Sequence, residues 1–157
     1  MKIKQSRSDF YALYRALNAL SNLRGVKFGF NISKNKEAIK PMINQIKKAS
    51  ESSEIFNAYD KERVELNVKH SAKDEAGNPV IENQNYKIEN KEAFDAELST
   101  LKEKHAPAIK EREDQIANMD KFMAEEIELE LKPIDLSIIP QDITVGQMES
   151  LSVLIVD

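Results

Sequence analysis

Lys73-Asp74-Glu75-Ala76-Gly77-Asn78-Pro79 is the stretch on which the reading of the fold turns. Gly77 and the Asn78-Pro79 pair do not continue a helix: glycine is entropically costly there, and proline lacks an amide donor and pushes the preceding residue out of the α region. The heptapeptide reads as a loop tip, with the loop extending over 73–90. On its C-terminal side Asn90 caps a helix in which Phe94, Leu98, Leu101, His105, Ala108, Arg112, Gln115, Met119 and Phe122 recur at spacings of four and three, which places them on one face. That helix covers 91–124 and bends near Pro107, whose ring clashes with the preceding turn. On the N-terminal side Ile39, Met42, Ile46, Ala49, Ser53 and Phe56 follow the same rhythm, continuing through Tyr59, the stem of Arg63 and Val64 to Val68. This predicts one long helix over 26–72, kinked at Pro41 or starting near it. Val64, Leu66 and Val68 would also suit a strand, but the helix is preferred. Two helices with one apolar stripe each, joined by a tight loop, should cover one another as a long antiparallel helical hairpin, coiled-coil-like in character.

Outward from the hairpin, Ser6-Arg7-Ser8-Asp9 has the form of a capping box. Phe10, Leu13, Leu17 and Leu20 then predict a helix over 7–24, with Gly25 as its left-handed C-cap. Val26, Phe28, Phe30 and Ile32 alternate with polar residues as in a short strand, although a helix accommodates them too. Ile127, Leu129 and Leu131 alternate with Glu126, Glu128, Glu130 and Lys132, so 126–138 reads as a strand segment with one wet face and a parity shift at Pro133. Thr144-Val-Gly-Gln147 is a second capping box, opening a short helix over 144–156. No internal repeat is evident. The expectation is a mainly α protein, one domain over 1–157, with a short β segment and a small C-terminal helix.

Composition agrees with long helices: 32% of residues are charged, 6% are aromatic, Trp is absent and there are only four glycines. With no cysteine, disulfides, thiolate metal sites and a cysteine nucleophile are excluded. The basic start runs into a polar cap instead of an apolar core, so it does not read as a signal peptide. No apolar run approaches the roughly 18 residues that span a membrane. The net charge of −4 conceals an asymmetry: residues 1–50 carry 11 Lys/Arg against Asp9 and Glu37, a balance of +9, and the remainder carries −13. Opposite fields of that size attract within a Debye length of about 8–10 Å, inside one chain or between neighbours.

No catalytic constellation stands out. His70 and Asp74 lie four apart and could share a helix face, but two ligands are too few for a metal site, and a solvated histidine at a helix end is the plainer reading. His105 sits on the apolar stripe without a paired nucleophile and orienting acid. Glu126, Glu128 and Glu130 form an acidic strand face, most simply a solvated edge. The glycines make neither a dinucleotide fingerprint nor a P-loop. Lys34, Lys36, Lys40, Lys47 and Lys48 form a candidate basic partner surface that could neutralise phosphates. Against nucleic acid, the whole chain is acidic, and Phe10 and Phe56 fall on core positions instead of between lysines. No catalytic, cofactor or metal residue is expected.

Leu17-Asn-Ala-Leu20, Gly25-Val-Lys-Phe28 with Asn35-Lys36 after it, and Lys73-Asp-Glu-Ala-Gly-Asn-Pro79 followed by Ala93-Phe94 together resemble a family of small bacteriophage proteins of unknown function. The resemblance covers about residues 10 to 100 and again the strand and closing helix. It implies that the Gly-Val-Lys-Phe segment opens a long helix, which favours the helical reading of 26–32. The chain departs from the family pattern around Lys102 to Phe122, where a helical piece is inserted. No catalytic residue carries over.

The expected function is thus non-enzymatic: a phage structural or assembly protein acting through protein contacts and self-association, in the host bacterial cytoplasm or the virion. Two alternatives are an inhibitor of a host defence or nuclease protein whose acidic half mimics nucleic acid, and a nucleic-acid-binding accessory protein, which is admitted but not favoured.

Overall fold

The computed structural model describes residues 1–20 and 22–156. The protein is mainly helical, with helices α1 (Arg7–Ala19), α2 (Val26–Ser50), α3 (Glu54–His70), α4 (Lys91–Lys104), α5 (Ala106–Ala124) and α6 (Val145–Ser150). Short strands accompany them: β1 (Lys2–Ser6), β2 (Ile81–Glu82), β3 (Asn85–Tyr86), β4 (Glu126–Glu130), β5 (Ile134–Asp135) and β6 (Ile155–Val156). The sequence reading treats 1–157 as one domain. Internal contacts divide the chain into two compact units, 1–50 with 118–157 and 51–117.

The first unit holds the main core. The face predicted from Phe10, Leu13, Leu17 and Leu20 is buried, and it packs with Phe28, Ile32, Ile39, Met42 and Ile46 of α2 and with Leu131, Ile134, Leu151 and Leu154. Ser6 caps α1 by accepting from the Asp9 amide at 3.1 Å, but the Asp9 carboxylate takes the Ser6 hydroxyl at 2.6 Å. The Thr144 box forms in both directions. β1 pairs antiparallel with β4, in register from Lys2 opposite Glu130 to Ser6 opposite Glu126, and Met1 and Leu131 extend the ladder. β5 and β6 pair in parallel, so the strand segment expected over 126–138 is two short strands and a 3₁₀ turn at Leu136–Ile138. The helix expected over 144–156 stops at Ser150, and Ile155–Val156 becomes strand instead.

Asn35, fully buried in α2, joins helix to sheet. Its amide nitrogen donates to the Lys132 carbonyl at 3.0 Å and its oxygen accepts from the Lys132 amide at 2.7 Å. One side chain satisfies both backbone groups of the residue where the strand leaves β4.

Two further elements depart from the sequence expectation. α1 ends at Ala19, and Gly25 does not cap it. With φ at +132°, Gly25 instead turns the chain into α2, its carbonyl accepting from Gly29 at 2.8 Å. The long helix predicted over 26–72 is two helices. α2 passes through Pro41, and the break falls at Glu51–Ser53, where Ser53 caps α3 by accepting from the Phe56 amide. The Ser50 hydroxyl donates to the Lys47 carbonyl in the last turn of α2, and Ser53 takes the amide that opens α3, so one helix ends and the next begins although the apolar rhythm runs across them.

The hairpin therefore lies wholly in the second unit. α3 and α4 run antiparallel: His70 meets Phe94, Lys69 meets Glu97, and Glu62 meets Lys104. The start of α5 extends the pairing, with Arg112 over the Phe56 ring and Gln115 donating to the Glu51 carbonyl. The bend expected near Pro107 is a break at His105, which places Pro107 in the first turn of α5, where a missing amide does no harm. The loop is itself structured. β2 and β3 form a small hairpin whose turn residues Asn83 and Gln84 have φ of 50° and 66°, the left-handed pair of a type I′ turn.

Replacing Asn35 with Ala strands the Lys132 amide and carbonyl without partners. The expected loss is about 2–4 kcal/mol in urea unfolding followed by circular dichroism; a loss below about 0.5 kcal/mol would remove the clamp from this account.

Candidate functional site

The hairpin contains a repeat that the sequence reading missed. Ala58-Tyr59-Asp60-x-Glu62-x3-Leu66-x2-Lys69-His70 recurs 35 residues later as Ala93-Phe94-Asp95-x-Glu97-x3-Leu101-x2-Lys104-His105. Six of the thirteen positions are identical, and Tyr59 becomes Phe94. The identities are scattered along a charged helix and separated by the loop, so neither hydrophobic period nor composition marks them; aligning the chain with itself would have found them.

Because the two helices run antiparallel, the motif faces itself and each contact is returned. Lys69 donates to Glu97 at 2.6 Å, and Lys104 donates to Glu62 at 2.7 Å. His70 Nε2 and His105 Nε2 each lie 3.2 Å from the same two carboxylates, Glu97 and Glu62 respectively. The His105 contact is a hydrogen bond, whereas His70 Nε2 is out of line for one. The rings repeat as well, with His105 5.6 Å from Tyr59 and His70 5.8 Å from Phe94. The outcome is a local two-fold in which the Lys-His end of each helix grips a glutamate of the other.

A groove of about 420 Å³ lies on this axis. Its lining consists of four symmetry-related pairs: Glu62 with Glu97, Glu65 with Thr100, Leu66 with Leu101, and Lys69 with Lys104. Hydrogen bonds from Lys104 and Lys69, with help from His105 and His70, hold Glu62 and Glu97 below the usual glutamate value. Carboxylates held ionised in this way are poor general acids, and their ion pairs occupy the lone pairs a base would use.

A second, wider groove of about 540 Å³ is lined by Phe56, Tyr59, Phe94, Leu98, Ile109 and Ile116, with Asp60, Arg63, Lys102, Arg112 and Glu113 among its polar residues. Only Tyr59, Leu66 and Ala108 among the described apolar residues of this unit are buried. Ile116 remains 58% exposed and Ile55 53%.

None of the candidate site residues singled out in the sequence lines either groove. Asp74 finds its partners inside its own loop. It accepts from the Ala76 amide at 2.9 Å and the Asn78 amide at 2.8 Å, and these bonds, Asn78 first, lower its pKa. It is a loop-building residue. Among the described residues no group of three or more His, Asp or Glu is placed to hold a metal ion. Lys34, Lys36, Lys40, Lys47 and Lys48 all lie on α2, Lys36 half-buried and the others exposed. Glu126, Glu128 and Glu130 line the exposed side of β4, where Lys4 and Lys2 meet Glu126 and Glu128 at 2.8 Å each. β1 was not expected, because its pairing partner is far away in sequence. Arg7, unremarked in the sequence, lies largely buried 4.2 Å over the Phe122 ring, donates to the Phe122 carbonyl and pairs with Glu125. Much of the charge asymmetry is thus met inside the first unit, where 118–157 places nine acids beside the basic first 50 residues.

No helix of the described residues is long and apolar enough to cross a membrane. No family model matches the chain, and no curated protein or solved structure matches it.

Both glutamate pKa values are depressed on folding, so the clamps contribute above the ordinary value of 4.5 and are lost as pH falls through the lower folded values. Lys104→Ala should move the Glu62 midpoint upward toward 4.5 and leave Glu97 unchanged, read by NMR of the carboxyl carbons. An unmoved Glu62 would show that Lys104 is not what holds it.

Proposed function

We propose that this chain is a non-enzymatic bacteriophage structural or assembly protein that acts through protein–protein contacts and self-association, in the host bacterial cytoplasm or in the virion. The phage origin rests on the resemblance carried by Leu17-Asn-Ala-Leu20, Gly25-Val-Lys-Phe28 and the Lys73–Pro79 loop. The binding role rests on one observation, the imbalance between the two units. Fourteen buried apolar residues form the core of the first unit, whereas the hairpin unit buries three and leaves an aromatic groove open. A core below about 70–80 residues rarely supplies more than about 3–5 kcal/mol, so a unit with fewer buried groups gains most from a partner.

The occupant that fits best is a second copy. The groove carries Asp60 and Glu113 beside Arg63, Lys102 and Arg112, both signs on one surface. A two-fold contact sets such a surface against itself, acid to base, with the apolar floors meeting in the middle.

Size-exclusion chromatography with light scattering should show a dimer or larger species that dissociates on dilution. Ile116→Glu, at an exposed position, should weaken association by about tenfold or more, the scale of one buried isoleucine, with helicity retained. A wild-type chain that stays monomeric over the whole accessible concentration range would overturn the proposal.

A further inference from the structure

Phe10 and Phe56 do not lie between the lysines of α2, but Phe30 does. α2 carries six lysines, Lys27, Lys34, Lys36, Lys40, Lys47 and Lys48, against one acid, Glu37. Its buried line through Phe28, Ile32, Asn35, Ile39, Met42 and Ile46 turns the lysines toward solvent. At about 100° per residue, Lys36, Lys40 and Lys47 fall within about 40° of each other, and Lys27, Lys34 and Lys48 form a second line about a third of a turn away. Phe30 sits on that second line and is 52% exposed. Two ammonium groups lie near its ring, Lys132 Nζ at 4.8 Å and Lys34 Nζ at 5.8 Å from the centroid. Lys34 also pairs with Glu37 at 2.8 Å.

We propose that this face of α2, centred on Phe30 with Lys34 and Lys132, binds single-stranded nucleic acid. Lysines alone would serve any acidic partner, and a solvated lysine face needs no partner. A half-exposed ring beside two cations is different, because it offers apolar surface where a charged chain would pass. Single strands present both complements at once: unpaired bases that stack on an aromatic ring, and phosphates spaced along the backbone to meet ammonium groups. A duplex keeps its bases stacked inside and leaves the ring without a role. Recognition of this kind tolerates any sequence, since every base has a π face. Its residues belong to the first unit and none of them lines a hairpin groove, so the proposal does not depend on self-association.

The test is fluorescence anisotropy of a labelled oligothymidylate of about 20 nucleotides against the full chain, from low to physiological salt. The expected result is binding that weakens linearly in log–log salt, with a slope of about 0.7 per phosphate neutralised. Phe30→Ala should weaken binding by about fivefold to a hundredfold, the range of one lost stack, with the salt slope unchanged. Lys34→Gln and Lys132→Gln should each flatten the slope. Because Phe30 is exposed, circular dichroism of Phe30→Ala should match wild type. No binding at low salt, an unaffected Phe30→Ala, or equal affinity for a duplex of the same length would each overturn the proposal.

Discussion

Exposed apolar surface on a two-helix hairpin is the constraint from which the rest follows. Two helices side by side can hide only the stripe along their seam, and in α3 and α4 that seam buries Tyr59 and Leu66 and little else. The ion clamps at the Lys-His ends hold the helices in register, but exposed ion pairs are worth little in water. Register and stability thus come from different sources. The clamps and the structured loop fix which residues meet, while much of the apolar surface that could stabilise the unit faces solvent.

The internal repeat makes the hairpin's chemistry intelligible. A motif with an aromatic residue, a glutamate three places on, and Lys-His seven and eight places after that will satisfy itself when set antiparallel to its copy. Each lysine finds a glutamate, and each histidine finds both a carboxylate and an aromatic ring. The groove on the axis inherits the symmetry in its lining. The first unit is organised by opposite charge over long sequence distances: Lys2, Lys4 and Arg7 meet Glu128, Glu126 and Glu125, so the basic start and acidic end of the chain neutralise one another across β1 and β4.

Local periodicity made several elements legible in the sequence. The stripe of α1, the alternation of β4, the Thr144 box and the loop at Gly77-Asn78-Pro79 all follow from short-range rules, and so does the mainly helical class. Other features depended on distance. β1 is a strand because β4 lies beside it, and Lys2-Ile-Lys-Gln-Ser6 gives too short an alternation to declare that alone. The end of α2 was hidden because the apolar rhythm continues through Ser50–Ser53, where serine capping outweighs the period. Asn35 looks like any polar helix residue until Lys132 is seen to need both of its amide atoms. For the candidate surfaces, the lysines of α2 and the glutamates of β4 were visible as groups. The exposure of Phe30 beside two ammonium groups required knowing which face of α2 is buried and that Lys132 returns near it.

Amide hydrogen exchange at several protein concentrations addresses the central claim most directly, because it reports on each helix separately. If a second copy covers the hairpin, protection over 54–70 and 91–116 rises with concentration while that of α1 and α2 stays constant. Protection of the hairpin that is the same at low and high concentration would contradict the account.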